Sequence, residues 1–333
     1  MKYFLSVLVS ISIIMAVTAT TTALTIFIPD LLGFEDDVDI VVSPNREFMV
    51  VPEESEDGSR GRVKIIDLDP ATGEPLGILF EEDLIDSLGY ENGVDPIIKQ
   101  METGDYLIML PVEKENGARA MVILLLTDHL GTVIDRVDID LGDLGFREDV
   151  DGLWDAYEGS IAFFPLESEN QSVRGVLAID VSNGDGDWGS CRLLSTDGRV
   201  GPCDSCEAAP WLPNLADGMD PVSYEAGDRL RLALPVITPA GSDLFLLDFE
   251  SDMVVIPPDV PPEFLDPHIS VKDLNAAGPR PLAFPGYECD VDIVLLDPGQ
   301  CGMDRHILIP VEDSGDIGDL YKIDQDGFAL WVF

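Results

Sequence analysis

The sequence predicts an all-β fold in which one four-stranded unit recurs about five times. Three observations lead to this prediction: a ten-residue segment that recurs at a fixed period, an apolar strand with a proline after each copy, and turn residues between the later strands. The chain has 333 residues, of which 46% are hydrophobic. This length suits one large β domain or two ordinary domains.

The recurring segment opens with glycine and an aromatic residue in its four clearest copies. These copies occupy residues 33–42, 89–98, 145–154 and 286–295, and a weaker copy occupies 217–224. One aspartate holds the same place in every copy, and successive aspartates are 56, 56, 69 and 72 residues apart. They are Asp39, Asp95, Asp151, Asp220 and Asp292. A fixed period with two later insertions predicts repeats that start near residues 33, 89, 145, 215 and 286.

The rest of each unit recurs as well. An apolar segment that ends in proline follows every copy, at 48–52, 107–111, 161–165, 232–235 and 307–310. Because proline has no backbone N–H, we expect each of these strands to end there. A polar loop, a third strand, a turn and a fourth strand complete the unit.

Four short strands per unit, repeated five times, make the chain similar to β-propeller repeat proteins. In such proteins each four-stranded antiparallel sheet packs face to face with its neighbours around an axis. The resemblance covers about residues 31–333 and implies one propeller domain within 24–333, with five blades. A sixth, degenerate blade at 261–285 is the alternative count, and a pair of β-sandwiches or a solenoid is the alternative architecture. Loop insertions are expected near 196–221 and 257–285.

The N-terminus has the pattern of an export signal. Lys2 is followed by 27 uncharged residues, 3–29, and sites with small residues follow the most apolar part. We therefore expect residues 1–23 to be a cleaved signal peptide. An uncleaved membrane anchor is the alternative, since such a stretch could span a bilayer. Either interpretation predicts a secreted, periplasmic or cell-surface protein.

The charge of the chain excludes two classes of partner. The sequence has 64 acidic and 19 basic side chains and a formal net charge of −45. Phosphate contacts need clustered Lys and Arg, so nucleic acid is excluded. A surface of anionic lipid is excluded by the same argument.

Two sets of acids recur in phase and are the candidate metal ligands. One set is the aspartate before each first strand, and the other is a glutamate two residues after the strand proline. Antiparallel pairing places both acids of a repeat at one end of its sheet, and carboxylate oxygens suit Ca²⁺. The candidates are Asp39, Glu54, Asp95, Glu113, Asp151, Glu167, Asp292 and Glu312. In the alternative interpretation the aspartates accept hydrogen bonds from turn amides between blades and the glutamates are solvated.

The two insertions are the candidate sites of specificity, because function concentrates in loops on rigid scaffolds. Trp211 and His268 are the candidate contacts for a ligand. An exported chain with five cysteines favours disulfides. Cys203, Cys206 and Cys289 are the candidates, and Cys203 with Cys206 is only a weak zinc signal because no second CxxC is present.

These patterns predict a binding or interaction scaffold for a protein or carbohydrate ligand. The alternative is a propeller hydrolase that cleaves glycosides with paired carboxylates in a central funnel. The sequence has no nucleophile elbow, zincin helix or phosphate loop. Catalysis is therefore not favoured, and Ca²⁺ is the one cofactor that the acids indicate.

Overall fold

The protein is described by a computed structural model in which every assigned element is a β-strand. No helix capable of crossing a bilayer occurs in the described part of the chain. The segment 1–23, predicted to be a signal peptide, lies outside that part. The described residues are 38–55, 60–84, 88–90, 93–114, 120–142, 145–147, 149–154, 161–167, 174–180, 190–194, 200–201, 214–216, 218–226, 229–238, 241–250, 270–273, 292–296, 306–312, 318–324 and 329–332.

The strands form antiparallel sheets whose strands are consecutive in the chain, which we number I to V. Sheet I contains β1 (Val41–Val42), β2 (Phe48–Glu54), β3 (Gly61–Leu68) and β4 (Pro75–Asp83). Sheet II contains β5 (Ile97–Gln100), β6 (Tyr106–Glu113), β7 (Ala120–Thr127) and β8 (Val133–Gly142).

Sheets III and IV carry additional short strands. Sheet III contains β9 (Gly145–Phe146), β10 (Leu153–Trp154), β11 (Ile161–Glu167), β12 (Arg174–Asp180), β13 (Ser190–Leu194) and β14 (Val200–Gly201). Sheet IV contains β15 (Asn214–Leu215), β16 (Val222–Ala226), β17 (Arg229–Thr238), β18 (Gly241–Glu250) and β19 (Ser270–Asp273). Sheet V contains β20 (Val294–Leu296), β21 (His306–Glu312), β22 (Gly318–Asp324) and β23 (Ala329–Val332).

The interval 257–285, expected to be a loop insertion, contains a strand. Strand β19, Ser270–Asp273, pairs with β18 and is therefore the outer strand of sheet IV. These four residues therefore belong to sheet IV, and the rest of 261–285, the interval of the alternative sixth blade, lies outside the described residues. Short strands also occur within the other interval, 196–221, at β14 and β15.

The prolines lie inside the long strand that pairs with the innermost strand of each repeat, so the expectation that the strands end there is wrong. Strand β2 continues past Pro52 and ends at Glu54, and β6 continues past Pro111 to Glu113. In both sheets the ladder with the innermost strand ends two residues before the proline, at Val50 in β2 and at its counterpart in β6. The missing N–H therefore removes no bond to that strand.

The hydrophobic core lies between the faces of adjacent sheets. Strand β6 alternates between two cores, with Ile108 facing sheet I and Met109 facing sheet III. A third core joins sheets IV and V, and the Ser223 hydroxyl donates a hydrogen bond to the Trp154 carbonyl between sheets III and IV, at 3.0 Å. The sheets therefore pack in chain order from I to V. Because both faces of β6 are covered, its sequence is a continuous apolar run rather than an alternating one.

The innermost strands are neighbours along this stack. Strand β1 lies beside β5, β10 beside β16, and β16 beside β20. Each innermost strand follows the recurring aspartate of its repeat. The stack therefore places the aspartates of successive repeats next to one another.

One ion pair between the outer strands of sheets I and II provides a test of surface electrostatics. Arg136 of β8 donates a hydrogen bond to Glu82 of β4 and also contacts Asp138. Both partners are partly exposed, so we expect Glu82→Gln to cost about 1 kcal/mol or less. Urea unfolding at low and high salt checks this value. A loss several times larger would mean that this pair is a principal contact between the two sheets.

Candidate functional site

The recurring aspartates form a chain of hydrogen bonds from sheet to sheet. In each bond, the backbone N–H of one aspartate donates to the Oδ1 atom of its counterpart in the next repeat. The donor–acceptor distances are 2.6 Å for Asp39 to Asp95, 2.6 Å for Asp95 to Asp151, 2.6 Å for Asp151 to Asp220 and 2.9 Å for Asp220 to Asp292. The recurrence seen in the sequence thus corresponds to a physical link between repeats. We call these five residues the aspartate chain.

Partial burial and mutual repulsion change the ionisation of the central members of the aspartate chain. Loss of solvent and the neighbouring charge of Asp220 raise the pKa of Asp151 to about 8. Loss of solvent, with the charges of Asp292 and Asp95, raises the pKa of Asp220 to about 6. Loss of solvent also raises the pKa of Asp95, although the N–H of Asp39 opposes that shift. The pKa of Asp95 and that of Asp151 depend on each other, because the charge of each carboxylate lies beside the other residue.

The recurring glutamates form a second link, which runs in the opposite direction. The Glu54 carboxylate of sheet I accepts a hydrogen bond from the Tyr90 N–H at 2.5 Å. The Glu113 carboxylate of sheet II accepts one from the Phe146 N–H at 2.9 Å. Both glutamates are only 3% exposed, so the alternative in which the glutamates are solvated is wrong for these two. Their role is to hold the glycine–aromatic segment of the next repeat.

The same geometry explains the glycine that opens the recurring segment. A Cβ atom on Gly89 would lie 2.4 Å from Glu54 Oε1, and one on Gly145 would lie 2.5 Å from Glu113 Oε1. Glycine allows the carboxylate to approach the backbone closely enough to accept the following N–H. Glycine, aromatic residue and glutamate are therefore one structural device that joins consecutive sheets. The sequence showed the recurrence of these residues but gave no sign that they touch.

The remaining predicted site residues are placed only in part. Glu167 and Glu312 end strands β11 and β21, as Glu54 and Glu113 end β2 and β6. The ligand candidates Trp211 and His268 and the disulfide candidates Cys203, Cys206 and Cys289 lie outside the described residues. Within the described ranges, no group of three or more His, Cys, Asp or Glu side chains is arranged to hold a metal ion.

One aromatic residue near the aspartate chain was not predicted as a site residue. Trp154 follows Asp151 by three residues, and the Lys99 ammonium lies 5.2 Å from the centre of its ring. Its indole Nε1 atom is buried and has no hydrogen-bond partner among the described residues. The sequence signal was a tryptophan in a position where the other copies of the segment have Val42, Ile98, Ser223 and Leu295.

Comparisons with known proteins give distant structural likenesses. No protein-family model matches the chain, and no curated protein matches it. The ectodomain of the parainfluenza virus 5 hemagglutinin-neuraminidase is 11% identical with a TM-score of 0.41, over 92% of this chain and 75% of that chain. A chimera of an apocarotenoid oxygenase (ACO) and RPE65 is 12% identical with a TM-score of 0.38, over 90% of this chain and 62% of that chain. The Glu150Asp mutant of the Synechocystis apocarotenoid oxygenase is 12% identical with a TM-score of 0.37, over 87% of this chain and 59% of that chain.

The chain therefore spans about six tenths of the length of these oxygenase structures. With TM-scores below 0.5, these likenesses are too distant to indicate a function for this chain.

Proposed function

We propose that the protein is an exported, acidic, five-bladed β-propeller that serves as a binding scaffold. The observation that carries the proposal is the engagement of the recurring acids in bonds between repeats. The carboxylates of Asp95, Asp151, Asp220 and Asp292, and those of the buried Glu54 and Glu113, accept hydrogen bonds from backbone N–H groups. Acids that hold sheets together form a framework, and specificity then resides in the loops.

A ring of five blades accounts for the stacking of the sheets. Sheets I to V follow one another face to face, and their innermost strands are neighbours. The face of sheet I that points away from sheet II is also covered at its central strands, where Val51 and Ile66 are each 1% exposed. On that face Lys64 forms an ion pair with Glu53 at 2.8 Å, and neither side chain is exposed. Closure by sheet V explains this burial.

The alternative function is glycoside hydrolysis, and one observation favours it. A glycosidase needs one protonated and one ionised carboxyl in different environments. The pKa of Asp151, raised to about 8, keeps one carboxyl protonated near neutral pH beside a second carboxyl, that of Asp95. The scaffold remains the better proposal, because the Asp95 carboxylate already accepts the Asp39 N–H and the Asp151 carboxylate accepts the Asp95 N–H.

The ligand of the scaffold is proposed to be a carbohydrate or a protein that contacts Trp211 and His268. We expect Trp211→Ala or His268→Ala to weaken binding at least tenfold without changing the melting temperature. Binding of the purified exported protein to immobilised starch, β-glucan, xylan and mannan, and to an extract of secreted proteins, provides the measurement. Leu130→Ala is the control, because Leu130 is 54% exposed on a turn of sheet II. Equal losses for all three variants would contradict a site on the loops.

The hydrolase alternative has its own measurement. Release of reducing sugar from the same four polysaccharides is compared between the unaltered protein and Asp151→Asn. Turnover that disappears in Asp151→Asn would establish the hydrolase and overturn the scaffold. Absence of turnover, together with binding that Asp151→Asn leaves unchanged, supports the scaffold.

Calcium is proposed as a stabilising ion for acids at the sheet ends. We expect a higher melting temperature in Ca²⁺ than in EDTA at matched ionic strength, because a cation that binds only the folded state stabilises it. A rise that Na⁺ reproduces at the same ionic strength would mean that salt only screens the acidic surface.

A further inference from the structure

The junction between sheets V and I differs from the others in its hydrogen bonds. The aspartate chain links sheets I to II, II to III, III to IV and IV to V. Among the described contacts, no hydrogen bond joins the Asp292 N–H to the Asp39 carboxylate. The end members Asp39 and Asp292 are exposed, whereas Asp95, Asp151 and Asp220 are partly buried. The chain of bonds is therefore open at one place, which we call the closing junction.

The apolar side chains of the innermost strands at the closing junction are also exposed, although Val51 and Ile66 of the central strands of sheet I are buried. In sheet I, Val42 pairs with Met49 while Val41 pairs with Val50, which lies in the core with sheet II. Ile40 and Val42 therefore point away from sheet II, and they are 41% and 45% exposed. At the other junctions, the residues equivalent to Val42 pack into the core between two sheets. These residues are Ile98, Trp154 and Leu295.

Sheet V has a matching exposed surface. Its Leu295 pairs with Ile307 and packs toward sheet IV, whereas Val294 pairs with Leu308 and points away from it. Val294 is 50% exposed and Leu296 is 38% exposed. Two aliphatic surfaces of similar size, each beside an aspartate with a missing bond, thus lie at the two ends of the stack. No strand of the described chain crosses between the first and last sheets.

We propose that the ring opens and closes at the closing junction. In the closed form, the Asp292 N–H donates a hydrogen bond to the Asp39 carboxylate. The side chains of Ile40 and Val42 then pack against those of Val294 and Leu296. This packing would repeat that of the junction between sheets IV and V, where the counterpart residues Val222, Ile293 and Leu295 lie in one core. A second copy of the chain is a poorer occupant, because each copy has a net charge of −45 and would repel the other. The inference rests on the five-sheet ring proposed above. It adds that the closing junction opens and closes reversibly, and we call this property the gate.

Hydrogen exchange of the unaltered protein tests the opening. Amides of β1 and β20 are expected to exchange at least tenfold faster than amides of β5 and β16, because opening exposes only the closing junction. The measurement uses the purified exported protein and mass spectrometry of its peptides. Equal exchange in all four strands would overturn the gate and leave the ring intact.

A disulfide tests the closed form. The double variant Ile40→Cys with Val294→Cys is expected to form a bond between residues 40 and 294 on oxidation, to slow exchange in β1 and β20 at least tenfold, and to raise the melting temperature. Peptide mapping distinguishes this bond from the native cysteines. Ile40→Cys with Ile237→Cys is the control pair and should not cross-link, since Ile237 lies on sheet IV.

The outcomes of the disulfide test separate the gate from the ring. Failure of the pair at 40 and 294 to form a bond would overturn both the gate and the five-bladed ring. A bond between two chains, seen as a covalent dimer, would overturn closure within one chain. A bond within one chain that leaves exchange unchanged would overturn the gate alone.

Discussion

The free energy of unfolding is expected to fall by roughly 3–5 kcal/mol as the pH rises from about 5 to about 9. The cause is the aspartate chain, in which loss of solvent and neighbouring charges raise the pKa of Asp151 to about 8 and that of Asp220 to about 6. An unfolded aspartate has a pKa of about 3.9. Between the pKa of the unfolded aspartate and the raised pKa of the folded one, the folded state binds more protons than the unfolded state. The stabilisation is therefore complete below about pH 4 and is lost as the pH rises through about 8.

The variant Asp151→Asn isolates this effect. Asparagine keeps an oxygen that accepts the Asp95 N–H and an N–H group that can donate to a carboxylate, but it does not ionise. We expect the variant to match the unaltered protein near pH 5 and to be more stable by about 2 kcal/mol or more at pH 8 to 9. Urea unfolding across this pH range gives the values.

The control variant is Glu102→Gln, which removes one exposed charge outside the aspartate chain. It should leave the pH dependence unchanged. A stability that is flat or rises from about pH 5 to about pH 9 would contradict the assigned ionisation of the aspartate chain.

The second large effect is expected at the glycines that face buried glutamates. Gly89→Ala should destabilise the protein by about 2–4 kcal/mol, because the new Cβ displaces the Glu54 carboxylate from the Tyr90 N–H and leaves both groups buried without a partner. The Cβ atom would lie 2.4 to 2.7 Å from three atoms of that carboxyl group. Gly145→Ala should behave alike through Glu113. Urea unfolding at one pH measures both changes.

Gly77→Ala is the matched control for the glycine variants. A Cβ atom on Gly77 would have no neighbour within 4 Å, and the residue lies on the exposed strand β4. Its substitution should change stability by less than about 1 kcal/mol, in either direction. In a Glu54→Ala background the cost of Gly89→Ala should shrink. An unchanged cost in that background would show that the carboxylate is not the cause.

Several features of the fold could be predicted from the sequence because they are periodic. Glycine, aspartate and proline recur in phase, and the central strands have the continuous apolar run of buried strands. The antiparallel sheets seen among the described residues, and the position of the acids at the ends of those sheets, follow from local chain geometry. A local pattern does not depend on what the strand later packs against, so these predictions needed no knowledge of the tertiary structure.

The tertiary structure alone decided what the recurring residues do. Glu54 and Tyr90 are 36 residues apart, which is too far for a local sequence pattern to connect them. Only their contact in the folded protein shows that the glutamate is buried rather than solvated. The pKa of Asp151 likewise depends on Asp95 and Asp220, which are brought near it by the stacking of sheets. Pro52 is tolerated inside β2 because the ladder of hydrogen bonds with β1 ends at Val50, before the proline. The physical reason is that burial, charge and hydrogen bonding depend on neighbours in space, whereas a sequence gives neighbours along the chain.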